Sequence, residues 1–204
     1  MKRIIVFALL LSIVLTSCSQ LGIGGNNKTE EGPVPPESMR QWAFKARASS
    51  AYGGVLAEGN DDWSPYAATG KPDVTECKDD SHAWAPAEED LGMQWLELEY
   101  DCLVYVSAVN IHETYGPGAV QKVELKNIDT YETIWKCEDE RTGCRTKECP
   151  RYFEVKLENM TEYLSDTVRL TLDTDAPGWN EIDAVELVGY EKRWHIYNKT
   201  LYLD

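Results

Sequence analysis

The chain has 204 residues, with 20 Lys+Arg against 35 Asp+Glu for a formal net charge of −15. That length suits one domain with a spacer. The acidic balance excludes a nucleic-acid ligand and a polybasic membrane patch, since both require clustered Lys and Arg.

Lys2 and Arg3 stand before an apolar run from Ile4 to Val14, and Leu15-Thr16-Ser17-Cys18 follows. A basic start, a short apolar stretch and small residues at a cut point predict a secretory signal over residues 1–17, too short to span a bilayer. With Cys18 directly after a small residue, the segment resembles a bacterial lipoprotein signal. The resemblance implies a diacylglyceryl group on the Cys18 thiol, cleavage just before it, and an acyl chain such as palmitate on the new amine. Each buried methylene is worth about 0.8 kcal/mol, so several chains on one residue make a firm anchor. The expected location is the outside of a bacterial cell envelope, held to the membrane by lipid. Ser19 after the cysteine points to the outer membrane in a two-membrane cell.

Residues 18–38 carry Gly24-Gly25-Asn26-Asn27 and Pro33-Val34-Pro35-Pro36. Such composition cannot bury a core, and about 20 flexible residues reach roughly 25 Å. From residue 39 to 190 the texture is that of short strands. Leu96, Leu98 and Tyr100 share one face, with Trp95, Glu97 and Glu99 on the other. Val104 to His112 is β-branched, Val123 and Leu125 alternate within Val120 to Asn127, and Val168, Leu170 and Leu172 alternate with polar residues. Ile182 to Gly189 forms a last apolar strand. Gly116-Pro117-Gly118-Ala119 suits a type II turn. No stretch carries a helical period, so the expectation is an all-β sandwich or jelly roll. Residues 191–204 form an aromatic tail with Trp194, His195, Tyr197 and Tyr202.

Beyond Cys18 there are five cysteines, Cys77, Cys102, Cys137, Cys144 and Cys149, which an extracytoplasmic compartment would pair as disulfides. An odd count leaves one thiol over, free or intermolecular. Cys137, Cys144 and Cys149 crowd one segment without a nearby His or a CxxC pair, so a stapled hairpin loop is favoured over zinc. Cys77 with Cys102 is a candidate second bridge, although spacing does not decide connectivity.

Glu113 and Asp183 are acids inside apolar strands. They either face a ligand's hydroxyls or accept N–H bonds from the adjoining turns, and the second role is favoured because buried carboxylates must find partners. Tyr115, Trp179 and Asn180 sit in turn-like segments beside them. Aromatics flanked by acids and amides suit stacking on sugar rings, although Trp179 as a plug for the sandwich is the plainer alternative. Trp63, Tyr66 and Trp84 in the long early loop share that ambiguity. His82, His112 and His195 belong to no nucleophile motif, and no glycine loop cradles phosphate, so an enzyme is not expected.

Three segments taken together carry a resemblance. They are Ala67-Ala68-Thr69-Gly70-Lys71-Pro72-Asp73 with Trp84 and Gln94 to Leu98, then Val109 to Val120, then Pro177 to Gly189. In that order they resemble the galactose-binding-like, discoidin-related (F5/8 type C-like) β-sandwich, over roughly residues 42–190. The Cys137–Cys149 segment departs from that pattern. The resemblance implies an eight-stranded jelly roll that binds glycan, lipid headgroup or protein, and a structural Ca²⁺ with Asp73 and Glu186 as side-chain ligands. The expected function is a non-catalytic, membrane-anchored binding module, with carbohydrate as its ligand. A structural lipoprotein that binds an envelope protein is the alternative, and a glycoside hydrolase a distant one.

Overall fold

The computed structural model describes residues 37–55, 62–138, 144 and 146–191. The signal, Cys18, nearly all of the spacer and the tail from residue 192 lie outside the described residues. Among the described residues there are eight strands, all paired antiparallel: β1 (Met39–Trp42), β2 (Lys45–Ala48), β3 (Met93–Tyr115), β4 (Val120–Asn127), β5 (Thr130–Lys136), β6 (Arg151–Lys156), β7 (Leu164–Asp173) and β8 (Glu181–Tyr190). One 3₁₀ turn, Pro65–Ala68, interrupts the long loop between β2 and β3. The expected all-β jelly roll is the observed fold.

The 23-residue β3 organises the sandwich. Its first part pairs with β2 and β7 up to Glu99, its register with β7 shifts between Glu99 and Val104, and its second part pairs with β6 and β8. One layer is therefore β1–β8–β3–β6, and the other runs β2–β3–β7–β4–β5. Leu96, Leu98, Val109, Ile111, Leu125, Leu170, Leu172, Val185 and Leu187 bury their side chains between them. These are the alternating positions of each strand, because successive side chains point to opposite faces.

Glu97 points outward yet is also buried. Burial would push its carboxyl up, but Tyr131 and Arg47, with Arg169, outweigh that and hold it below the usual range. The Arg169 guanidinium also lies 4.0 Å from the Tyr131 ring centre, so the carboxylate is capped by cations and an aromatic rather than by water.

The sandwich has two ends of different character. At one, β1 begins with Met39 opposite Gly189, itself opposite Val106 on β3. At the other, β3 ends with Tyr115 opposite Glu181, and the Gly116–Ala119 and Thr174–Asn180 loops close the structure. We refer to these as the N-terminal pole and the loop pole. Gly118 has φ 97°, as the third position of a type II turn requires.

At the N-terminal pole, Ile128 opens the hairpin turn between β4 and β5 with φ 57° and is 83% exposed. A β-branched residue in the left-handed region is strained, whereas Asn and Gly fit there. Ile128→Asn is expected to raise stability by about 1 kcal/mol, or roughly 2–4 °C in Tm. Thermal unfolding showing a lower Tm would mean that Ile128 makes a stabilising contact.

Among the described residues Cys77 is bridged to Cys149 and Cys137 to Cys144, and Cys102 is disulfide-bonded as well. The second staples the segment after β5, as expected. The first corrects the expected Cys77–Cys102 pairing. Cys102 lies in the bend of β3, where its N–H and C=O meet the Gln41 side chain, whereas Cys149 lies against the Thr114 carbonyl at the loop pole, near the early loop that carries Cys77. The expected leftover thiol is absent too, since no cysteine among the described residues is free.

Candidate functional site

The long loop between β2 and β3 is fastened to the loop pole by Trp84. Its backbone exchanges two hydrogen bonds with Ile182, at 2.9 and 3.0 Å. Its indole is fully buried and donates to the Ser50 carbonyl at 3.0 Å. Trp84 is thus a core residue and not a ligand contact. Nearby, Gly53 runs so close to the Asp62 carbonyl that a Cβ would lie 1.8 Å from it, so only glycine permits this approach.

These anchors gather three aromatics. Tyr52 meets Trp63 edge-to-face with ring centres 5.5 Å apart, and meets Trp179 likewise at 5.4 Å. Together with Asp79 and Ala85 they line a cavity of about 140 Å³. The Trp63 indole donates to Asp79 Oδ1 at 3.0 Å, and its backbone is held at φ 52° by a hydrogen bond to Ser81. Trp179 is placed by its neighbours. Asn180 Nδ2 donates to the Gly116 carbonyl at 2.7 Å, and Gly116 has no room for a side chain against the Trp179 carbonyl.

Glu181, the first residue of β8, lies close to Trp63 and Asp79. It is 1% exposed, its Oε2 accepts the Asp80 N–H at 3.2 Å, and its Oε1 has no hydrogen-bond partner. Burial pushes its carboxyl up to about 8; the Asp80 N–H opposes that shift and the Asp79 charge adds to it. It is therefore neutral at pH 7. Asp80 is the opposite case. Burial would raise it, but bonds from His82 and Lys78 prevail and hold it at about 2. The cavity thus combines aromatic walls with the Asp79 carboxyl, while Glu181 is buried close to it, a set suited to stacking and hydroxyl recognition.

The other expected site residues are placed differently. Glu113 accepts the Gly118 N–H at 2.8 Å and the Arg151 guanidinium at 3.0 Å, although burial raises its carboxyl. Asp183 accepts the N–H groups of Asp73 and Val74, and the His112 Nδ1 lies 2.7 Å from its Oδ2. Both acids are buried and hold turns and loops, so neither faces a ligand. Asn180 is likewise buried and supports the turn, and Tyr115 is half-buried outside the aromatic cavity.

The calcium pair does not fit. Both Glu186 carboxylate oxygens are bound by Arg40, at 2.8 and 2.5 Å, and Oε2 also accepts from Asn110. Asp73 instead has its carboxyl raised by burial and by Asp183. Among the described residues, no group of three or more His, Cys, Asp or Glu could hold a metal ion.

Sequence reasoning missed Tyr52, Asp79 and Glu181. The signal for Glu181 was present, as an acid directly after the Trp179-Asn180 turn at the head of an apolar strand.

Residues 35–198 match the family model described as "PAPPA: Pappalysin-1, SD scarf domain, C-terminal". No curated protein sequence matches the chain. Among solved structures, chitosan-binding module 1 from a Paenibacillus sp. IK-5 chitosanase/glucanase is 13% identical with a TM-score of 0.47, covering 72% of this chain and 94% of the module. A Clostridium perfringens module, CpGH89CBM32-4, in complex with GlcNAc-α-1,4-galactose is 13% identical with a TM-score of 0.47, covering 72% and 90%. Allantoicase from Saccharomyces cerevisiae is 14% identical with a TM-score of 0.45, covering 77% of this chain and 45% of that one.

Proposed function

The chain belongs to the family of the pappalysin-1 C-terminal SD scarf domain, and we propose that it is a non-catalytic binding module whose loop pole takes a saccharide. The carrying observation is the Tyr52–Trp63–Trp179 cluster. Three large aromatics converge around a cavity bordered by Asp79, with no phosphate-cradling loop and no nucleophile motif in the sequence. At about 140 Å³ the cavity is smaller than the roughly 300–1,000 Å³ of pockets that enclose a drug-sized ligand. It suits one terminal sugar unit, with the rest of the glycan in solvent.

A glycan array followed by calorimetry tests this. Trp179→Ala is expected to weaken the selected glycan at least 10-fold, about 1.4 kcal/mol. Binding of no glycan, or a Trp179→Ala protein that binds like wild type, would defeat the saccharide reading.

In the same proposal the module is displayed outside a bacterial cell, anchored through lipid on Cys18. The support is the order of basic residues, apolar run and small residues ahead of that cysteine. Mass spectrometry of the mature protein should find an acylated residue 18 at its N-terminus, and an unmodified protein in the medium would refute the anchor.

A further inference from the structure

The outer face of the β1–β8–β3–β6 layer holds a second concavity, of about 400 Å³, that shares no lining residue with the loop-pole cavity. Strand register builds it. Trp42, Glu186, Asn110 and Glu154 are successive cross-strand partners and form one row over four strands. In the next row His112 faces Tyr152. Partners in such rows point to the same side of a sheet.

His112 and Tyr152 are an unusual pair for a solvated sheet face. His112 is 2% exposed, with Nδ1 against Asp183 and Nε2 without any hydrogen-bond partner. Leaving such a buried atom unpaired is costly. The Tyr152 ring lies parallel on the imidazole, 4.1 Å between centres and 15° between planes, yet Tyr152 is 66% exposed. One face of the phenol ring is thus immobilised through the chain Asp183–His112–Tyr152. The residue's remaining exposure leaves the ring open to a ligand. A platform ordered in advance binds more tightly, because its rotamer entropy is not lost again on association.

We propose that this groove is a second saccharide-binding site, with Tyr152, held in place by His112, as the stacking platform, Trp42 as the facing wall, and Asn110 and Glu154 as partners for sugar hydroxyls. The volume falls within the range of ligand pockets. The face of the sheet presents side chains and no backbone N–H or C=O groups, which suits a saccharide stacked on Tyr152. Charge narrows the class. Among the described residues that line the groove the one cation, Arg40, is already engaged by both oxygens of Glu186, while Glu154 stands in the same row as that carboxylate. An uncharged or amine-bearing saccharide is accommodated, and a uronate is repelled. The proposal is independent of the loop-pole pocket.

Calorimetry on the full chain with cellohexaose, a chitosan hexamer and hexagalacturonate separates the outcomes. Cellohexaose or the chitosan hexamer is expected to bind, to lose at least 10-fold in affinity with Tyr152→Ala, and to keep wild-type affinity with Tyr152→Phe. Hexagalacturonate is expected not to bind. The groove assignment is overturned if neither the neutral nor the amine-bearing hexamer binds, if Tyr152→Ala leaves affinity unchanged, or if hexagalacturonate binds as well as the others. Loss with Trp179→Ala alone would leave the loop pole as the site and remove the groove. Because Tyr152 is largely exposed, its alanine variant should unfold at wild-type temperature, which confirms that any loss is of binding.

Discussion

Raising the pH from 5 to 8.5 is expected to destabilise the folded chain, with Glu181 as the main cause. Its carboxyl goes from 4.5 to about 8 on folding. Between those values the folded protein holds a proton that the unfolded chain has released, so stability falls as pH rises. The contribution is complete below about 4.5 and lost once pH passes about 8. At about 1.36 kcal/mol per unit, the loss over the whole window is on the order of 4–5 kcal/mol. Asp80, held at about 2, acts in the other direction only below its unfolded value of 3.8 and leaves this window untouched. Glu181→Gln keeps the neutral shape and cannot ionise. Urea unfolding should show a falling midpoint for wild type between pH 5 and 8.5 and a clearly shallower fall for the variant, in which Glu113, Asp73 and His82, all raised in the fold, supply the remaining slope. Equal slopes for both proteins would show that Glu181 ionises normally in the fold. If the loop-pole pocket binds ligand, the same ionisation places a second negative charge beside Asp79, and affinity should fall with it.

The paired substitution Cys77→Ser with Cys149→Ser is expected to cost about 2–5 kcal/mol. The bridge closes a separation of 72 residues and joins the early loop to the segment before β6. Changing both partners avoids a stray thiol that could attack Cys137–Cys144. The sandwich core does not involve this bond, so the variant should retain its β-sheet circular dichroism while its denaturation midpoint drops. It should also exchange amide protons faster in residues 62–85, where the bridge and Trp84 jointly hold the loop. A variant within 0.5 kcal/mol of wild type, with unchanged exchange, would assign the loop's order to Trp84 alone.

What was legible in the sequence follows what is local. The alternation of Leu96, Leu98 and Tyr100 against Trp95, Glu97 and Glu99 gives the correct faces of β3, because pleating alone determines them. β1 and β2 have four residues each and mixed texture, and they become strands only by pairing with β8 and β3. The partners of acids were the least accessible. Glu113 and Asp183 were open between two roles, and the buried N–H groups of Gly118, Asp73 and Val74 decide for support. Glu186 fits a calcium pattern by position, but Arg40, 146 residues away in sequence, reaches it across β1–β8. Tyr152 was silent because its neighbour His112 is brought to it only by the β3–β6 register. Of the loop-pole aromatics, Trp63 and Trp179 could be noticed as turn residues. Tyr52 could not, since its place depends on the Gly53 approach to Asp62 and on the Tyr52 N–H bond to Ala85.

The placement of β1 bears on how the molecule carries load. A pull through the residues before Glu37 arrives at Met39 on the N-terminal pole, while a ligand held at the loop pole, as proposed above, would resist from the other end. Tension then runs along the strand axis. The bonds of the β1–β8 ladder lie across that axis, so they are strained together in shear and do not open one at a time. The Arg40–Glu186 clasp spans the same two strands and shares the force. A tug that would peel an edge strand pulled sideways meets the whole ladder here, and Arg40→Ala should lower the force at which single molecules give way.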